Sequence, residues 1–318
     1  MKKMKLIKLD DFAIYVSEND PGISHSLIKR ANRLAQGIDP GPEREAAFTF
    51  IWRQELKKIC KETKKVVVYD IGANLGLFSI IADKILRKAH VDYSIEAFEP
   101  DQQNINILEQ NFILHNIRGA IHPIAISNKT EIVKFYKTQS SNLGSLFKTK
   151  RSLGTVSVKA YRLQDLHLDK PNLIKADLEG SEVLMFQGAR NFLSKIVPPC
   201  KILLEVHPMF YTKELSLENE LRFLFNHNWK CKYMVSAAVL RPDKFKEAGL
   251  KVWKEFPSSG HSRAIYRNTG RKDWHDLVLD FACHVHRQEI PNKKVSPKIV
   301  RSILIEKNYD LEKNKKII

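Results

Sequence analysis

Asp177, Glu179, Glu205 and His207 stand in two short stretches suited to proton transfer. The first two lie in Ile174-Lys175-Ala176-Asp177-Leu178-Glu179-Gly180-Ser181-Glu182, and the others in Leu204-Glu205-Val206-His207-Pro208. A carboxylate or imidazole within reach of a hydroxyl can accept its proton as the oxygen attacks. Residues 173–177 and 201–208 are apolar runs of strand length that carry these groups at their ends. Alternation at period two points Glu205 and His207 to the same side. Glu182 falls in the first turn of the helix expected after Gly180, where the helix dipole favours its charge in any case. Asp177 and Glu179 are therefore the stronger candidates. A divalent cation bridging them suits carboxylate oxygens. The sequence identifies no third ligand, so no resident metal is expected.

The element that must position these groups begins at Val66-Val67-Val68-Tyr69, which runs into Asp70 and then Ile71-Gly72-Ala73-Asn74-Leu75-Gly76. From Leu77 the apolar period becomes helical, with Leu77, Ile81 and Ile85 on one face. Strand, glycine turn and helix open a doubly wound α/β sheet, whose ligands sit at the carboxyl ends of strands. A dinucleotide fingerprint needs a third glycine between these two, and here Asn74 stands there. Asp70 is expected to face the ligand from the strand tip. Two like charges about 4 Å apart cost roughly 4 kcal/mol at an effective dielectric of about 20. The helix dipole returns only about 0.3–1 kcal/mol. A phosphate is disfavoured, and an ammonium or sulfonium group is favoured. Residues 91–99 predict a second strand ending on Glu99, placed to accept both hydroxyls of a ribose. Glu99 also suits the N-terminus of the helix expected from 101. S-adenosyl-L-methionine combines the ammonium, the sulfonium and the ribose.

A chain of 318 residues can bury one large α/β domain with appended segments, or two smaller domains. Its 43% hydrophobic and 9% aromatic content places it among globular proteins. Cys60, Cys200, Cys231 and Cys283 lie far apart, which argues against a disulfide framework or a zinc ribbon. No secretory signal and no spanning apolar run is visible, so a soluble cytoplasmic protein is expected. The net charge of +17 is spread over short clusters such as Lys57-Lys58, Lys64-Lys65 and Lys313 to Lys316. That pattern favours a lysine-rich solvated surface over a nucleic-acid footprint.

Along the chain, the patterns predict a strand over 12–16, a break over 39–42 and a helix over 46–59. A helix over 101–116 and a third strand over 121–127 follow. Extended segments over 131–139 and 155–161 flank a loop of small residues, 140–145, which can fold over a substrate or be a plain hairpin turn. Further on come a helix over 217–226 and strands over 230–235 and 263–267, with 236–261 long enough to form a lid or wall. Helices are expected over 274–286 and 296–307, with a frayed end from 313. The organisation expected is an N-terminal extension over 1–65 packing on the core, a Rossmann-like domain over 66–267, and a basic, partly helical extension over 268–318. Cys283-His284-Val285-His286 has ligand residue types, but its spacing is a weak metal signal.

Together, Asp70-Ile71-Gly72-Ala73-Asn74-Leu75-Gly76, Glu99-Pro100, the 174–182 stretch with Gly188-Ala189, and Leu204-Glu205-Val206-His207 resemble the FkbM-type methyltransferases. The resemblance covers about residues 66 to 210, with four motifs in order. It departs at Ala176 and Leu178, where the family more often has β-branched residues; the acidic positions are intact. It implies a doubly wound, seven-stranded Rossmann-like α/β sheet with terminal extensions. It also implies O-methylation of a hydroxyl, often on a sugar, glycan or natural product. The donor is then S-adenosyl-L-methionine, leaving S-adenosyl-L-homocysteine, bound through Asp70, Gly72, Asn74, Gly76 and Glu99. The residues make Asp177, Glu179, His207 and, with weaker support, Glu205 the candidate bases.

Two other classes compete. A nucleic-acid methyltransferase fits the charge, yet an Asn-Pro-Pro-Tyr type of motif is missing after the fourth strand. Pro198-Pro199-Cys200 resembles a cysteine-dependent base methylase only superficially, because it precedes the fifth strand. A non-catalytic adenosyl-binding protein is disfavoured by the intact acidic residues.

Overall fold

A computed structural model describes residues 3–41, 43, 45–237, 243–258, 261–285, 289–290, 293–294 and 299–308. The chain opens with a hairpin, β1 (Met4–Lys8) and β2 (Ala13–Ser17), followed by α1 (Ile23–Ala35) and α2 (Ala46–Glu62). The first βαβ unit is β3 (Lys65–Ile71), α3 (Leu77–Lys88) and β4 (Asp92–Phe98), extended by α4 (Gln102–His115) and β5 (Gly119–His122). A small side sheet comprises β6 (Ala125–Ile126), β7 (Glu131–Lys137) and β8 (Gly154–Tyr161). The second unit is β9 (Leu173–Ala176), α5 (Glu182–Lys195) and β10 (Lys201–Glu205). Then come α6 (Leu217–Phe225), β11 (Trp229–Ser236), α7 (Asp243–Glu247), β12 (Lys254–Ser258), β13 (His261–Arg267) and α8 (Trp274–Cys283). Two short strands, β14 (Glu289–Ile290) and β15 (Lys293–Lys294), precede β16 (Val300–Lys307).

The main sheet runs β12-β13-β11-β16-β10-β9-β3-β4-β5. The five strands from β10 to β5 are parallel, and β16, β11, β13 and β12 continue antiparallel. It has nine strands where seven were expected. The β12–β13 hairpin widens the edge, so part of the segment expected to be a lid or wall is sheet. Chain order reverses between β3 and β9, so the crevice of a doubly wound sheet opens at their carboxyl ends. Strand burial follows from this topology: Val66, Val68 and Leu173 are fully buried, as covering both sheet faces requires.

One core packs α5, α6 and α8 on one face, with Phe186, Leu221 and Val278 buried. The other packs α2, α3 and α4 on the opposite face together with the N-terminal hairpin, burying Trp52, Ile80, Leu108 and Ile14. Asn111 clamps the hairpin, accepting from Tyr15 N at 2.7 Å and donating to Tyr15 O at 3.0 Å.

Three expectations change. The helix expected over 296–307 is strand β16, seated between β10 and β11, so the sheet continues past the expected boundary at Arg267. Val300, Ile303 and Ile305 are β-branched and fully buried, which suits a central strand. The strand expected over 121–127 splits at Pro123, which lacks an N–H for the ladder; β5 stays in the main sheet and β6 joins the side sheet. His286 of the Cys-His-Val-His stretch and the segment from 313 lie outside the described residues. Among the described residues, no helix is long and apolar enough to cross a membrane.

Candidate active site

The turn after β3 takes left-handed backbone at Gly72, Asn74 and Gly76 (φ +74°, +52° and +88°). At Gly72 a Cβ would lie 2.1 Å from Asp177 O, so only glycine lets this turn meet the segment leaving β9. The Gly72 and Ala73 amides both donate to Phe98 O at 3.0 Å, tying the turn to β4. Beyond β4, Glu99 is buried but well supplied with donors. Its Oε2 accepts from Asn74 N at 2.9 Å, and its Oε1 accepts from Asp101 N at 2.9 Å and Asn104 Nδ2 at 3.2 Å. Burial raises its carboxyl to about 7 against the pull of those donors.

These residues border an open cavity whose empty space, solvent at its mouth included, is about 610 Å³. Its apolar wall includes Phe98, Ile124, Ile126, Phe135 and Leu146, and its acidic wall is Glu99, Asp177 and Glu179. No lysine or arginine is among its described lining residues. The loop over 140–145 does reach the cavity, through Ser141, Asn142 and Gly144. It is pinned there by Ser141 N donating to Asp20 Oδ1 at 2.7 Å, and by Ser145 Oγ donating to Glu179 O at 2.7 Å.

Adjoining the cavity, the tips of β9 and β10 and the first turn of α5 surround one imidazole. His207 Nδ1 is 2.7 Å from Glu182 Oε1. Its Nε2 lies 3.3 Å from Glu205 Oε1, 3.4 Å from Glu179 Oε2 and 3.9 Å from Asp177 Oδ1. Burial pulls the imidazole's pKa down, but Glu182, Glu205 and Glu179 outweigh it and push the group up to about 10. Asp177 moves well above the usual carboxylate range, driven by burial and then by Glu205, with Lys175 opposing. Glu182 is held below its ordinary value, because His207 and the Gly180 N–H overcome its burial. Tyr211 completes the cluster, donating to Glu182 Oε2 at 3.2 Å and accepting from His207 N at 2.9 Å. Arg301 of β16 pairs with Glu205.

The fold thus brings together Gly72, Asn74, Glu99, Asp177 and Glu179 around one cavity, with Glu205 and His207 against it. Two expected donor residues lie elsewhere. Asp70 is fully buried behind the turn, accepting from Ser79 Oγ at 2.7 Å and facing Lys175 Nζ at 3.4 Å. It is not among the cavity's described lining residues, which corrects the expectation that its charge faces the ligand. Gly76 caps α3, and a Cβ there would lie 2.6 Å from Leu108 Cδ1. Lys175 and Glu182 went unrecognised as site components. A lysine inside an otherwise apolar strand was the available signal for the first. The second was set aside because the helix dipole already explained its charge. Arg301 gave no signal, since its strand was read as helix. Cys200 is buried in the core, where burial pushes its thiol up, so it is no nucleophile for base methylation.

Three solved structures are similar to part of the chain. A methyltransferase FkbM from Methylobacillus flagellatus KT shares 18% identity over 64% of this chain and 44% of its own, with a TM-score of 0.36. A precorrin-6y C5,15-methyltransferase from Geobacter metallireducens GS-15 shares 15% over 69% of this chain and 86% of its own, at 0.36. TrmK of M. capricolum, solved with S-adenosyl-homocysteine, shares 11% over 73% of this chain and 77% of its own, at 0.33. The chain thus spans less than half the length of the Methylobacillus protein. No curated protein sequence is a significant match. The model of the methyltransferase FkbM domain matches residues 70–234, more than half of the chain, including every residue named here as lining the cavity. With its doubly wound sheet and its glycine turn, the chain belongs to the FkbM methyltransferase family.

Proposed function

We propose that the protein transfers a methyl group from S-adenosyl-L-methionine to a hydroxyl of a small-molecule or glycan acceptor. The observation that carries this reading is a cavity with three carboxylates and no lysine or arginine among its described lining residues, beside a proton-accepting cluster. The electrostatic preference first attached to Asp70 passes to Asp177 and Glu179, which disfavour a phosphate and suit a sulfonium and an ammonium. The residues fit the donor: Glu99 can accept ribose hydroxyls on lone pairs left over from its backbone donors, and the apolar wall suits a flat base. Gly72 and Asn74 border the same space.

When bound, the donor supplies a methyl already activated on sulfur. Alignment of the acceptor oxygen is then the main task of the protein, worth roughly 7–11 kcal/mol. The acceptor's proton must also leave. His207 is already protonated near neutral pH, which disfavours it as the base. Asp177, with its raised pKa, is the better acceptor, and Glu179 is the second candidate. His207 then acts to hold the carboxylates together.

Calorimetry with S-adenosyl-L-homocysteine tests the donor site. Binding is expected in the native chain and strong weakening in Glu99→Ala; no binding by the native chain sinks the reading. Labelled donor supplied with cell extract, followed by mass spectrometry of the products, identifies the acceptor. The +17 net charge keeps one second reading in play, and label arriving in RNA with steep salt dependence would favour it.

A further inference from the structure

We infer that Asp177, Glu205 and His207 form a binding site for one divalent first-row metal ion, Mn2+ or Zn2+, at the edge of the donor cavity. One ligand atom from each of the three lies within 4.8 Å of the other two. The imidazole supplies the observation that goes beyond an acidic cluster. His207 is 2% exposed, its Nε2 is aimed at the carboxylates, and that nitrogen makes no hydrogen bond. Asp177 Oδ1 is likewise buried without one.

The other ring nitrogen is held as metal-bound histidines usually are. His207 Nδ1 is 2.7 Å from Glu182 Oε1, and Glu182 is in turn steadied by Gly180 N and Tyr211 Oη. A carboxylate on the far nitrogen orients the ring, and the ion displaces the proton that the near nitrogen carries in its absence. Spacing agrees as well. Two ligand atoms each about 2.1 Å from a common ion stand roughly 3.0–3.4 Å apart in octahedral or tetrahedral geometry. Nε2 is 3.3 Å from Glu205 Oε1 and 3.9 Å from Asp177 Oδ1, so only a small inward shift of Asp177 is needed. Glu179 Oε2, 3.4 Å from the same nitrogen, is within reach as a fourth ligand.

Charge points the same way. Asp177, Glu179, Glu182 and Glu205 surround a ring whose nearest guanidinium partner is Arg301 on Glu205. Two cations offset this charge in part: Lys175, which faces Asp70 at 3.4 Å and also acts on Asp177, and Arg301, which pairs with Oε1 of Glu205. The mixed imidazole and carboxylate set suits Mn2+ or Zn2+ better than Ca2+, which takes six to eight oxygens.

The role of the ion, unlike its binding, rests on the methyl-transfer reading. The ion coordinates the acceptor hydroxyl and lowers its pKa. With the ion bound Asp177 is a ligand, so the proton passes to Glu179, the second of the two candidate bases; the oxygen–methyl bond forms as the sulfur–methyl bond breaks, and S-adenosyl-L-homocysteine leaves as a neutral thioether.

The test uses the full chain stripped with chelator, titrated with Mn2+ by electron paramagnetic resonance and with Zn2+, Mg2+ and Ca2+ by calorimetry. One Mn2+ or Zn2+ per chain is expected, bound at least tenfold more tightly than Mg2+ or Ca2+. Asp177→Asn should weaken it at least tenfold, Glu182→Gln about 10–100-fold, and His284→Gln, outside the cluster, not at all. Circular dichroism checks that each variant is folded, and Asp177→Asn, which removes a charge from a crowded site, keeps the test open if Glu182→Gln does not fold. S-adenosyl-L-homocysteine is titrated into the same stripped samples. Donor binding without metal uptake overturns the ion alone, whereas absent donor binding sinks the methyl-transfer reading whatever the metal does. Unchanged affinity in Asp177→Asn, or loss in His284→Gln, also overturns the site.

Discussion

Strand β10 carries a buried charged cluster at each end, and the two are balanced in opposite ways. At its first residue, Lys201 Nζ is 2.7 Å from Glu55 Oε2, and Lys232 Nζ is 3.1 Å from both that oxygen and Glu306 Oε2. Cations outnumber carboxylates there, since Lys58 and Lys230 also join. Burial pushes the Glu55 carboxyl up, but Lys201, Lys232 and Lys58 outweigh it and hold it below its ordinary value. At the last residue, Glu205 stands among Asp177, Glu179 and His207, and carboxylates are in excess. There the net effect on Asp177 is upward. Where lysines are in excess the carboxylates are paired, and the cluster holds the fold together. Where carboxylates are in excess they remain to receive a ligand, a proton or an ion.

Breaking each cluster should therefore show in a different assay. Asp177→Asn should lower methyl transfer from labelled donor about 10²–10⁴-fold while donor affinity stays within twofold; transfer near the native rate removes Asp177 from the reaction, as base and as ligand alike. Glu55→Gln should do the reverse, leaving Lys201 buried beside a neutral amide. It should cost about 3–5 kcal/mol of unfolding free energy in a denaturant titration, with transfer per folded molecule unchanged. The sign with pH follows. Because the Glu55 carboxyl is depressed on folding, its contribution is complete above its ordinary value and is lost as the pH falls below it.

Glu99→Ala should weaken S-adenosyl-L-homocysteine by about 1.5–3 kcal/mol per lost charged hydrogen bond, measured by calorimetry, without destabilising either cluster. The smallest effect is expected from pH on the native donor site. Glu99 titrates near 7, and its protonation turns an acceptor of hydroxyl hydrogens into a competing donor. Donor affinity should fall as the pH drops through about 7, and this dependence should vanish in Glu99→Ala. A flat profile in the native chain would separate Glu99 from the ribose.

Much of the site was legible because motifs at strand tips gather wherever a doubly wound sheet reverses its order. Glu99 could be placed from its spacing past the glycine turn, and Gly72 and Asn74 from the family resemblance, since the turn and the acidic residue belong to one βαβ unit. Asp70 was misjudged for a reason that no single strand contains. Its register partner on β9 is Lys175, and that pairing turns a supposed ligand contact into a buried ion pair. The misreading of 296–307 has the same origin. Apolar residues at those positions fit either period, and only the gap between β10 and β11 selects the strand.

By itself, then, the sequence determined which local units form and which chemical groups they carry to their ends, because periodicity and turn chemistry act over a few residues. Only the tertiary structure decided which charges meet. Asp70 found Lys175, Glu55 found Lys201, and His207 found four carboxylates. Coulomb energies depend on distance in space and on exclusion of water, and strand order sets both.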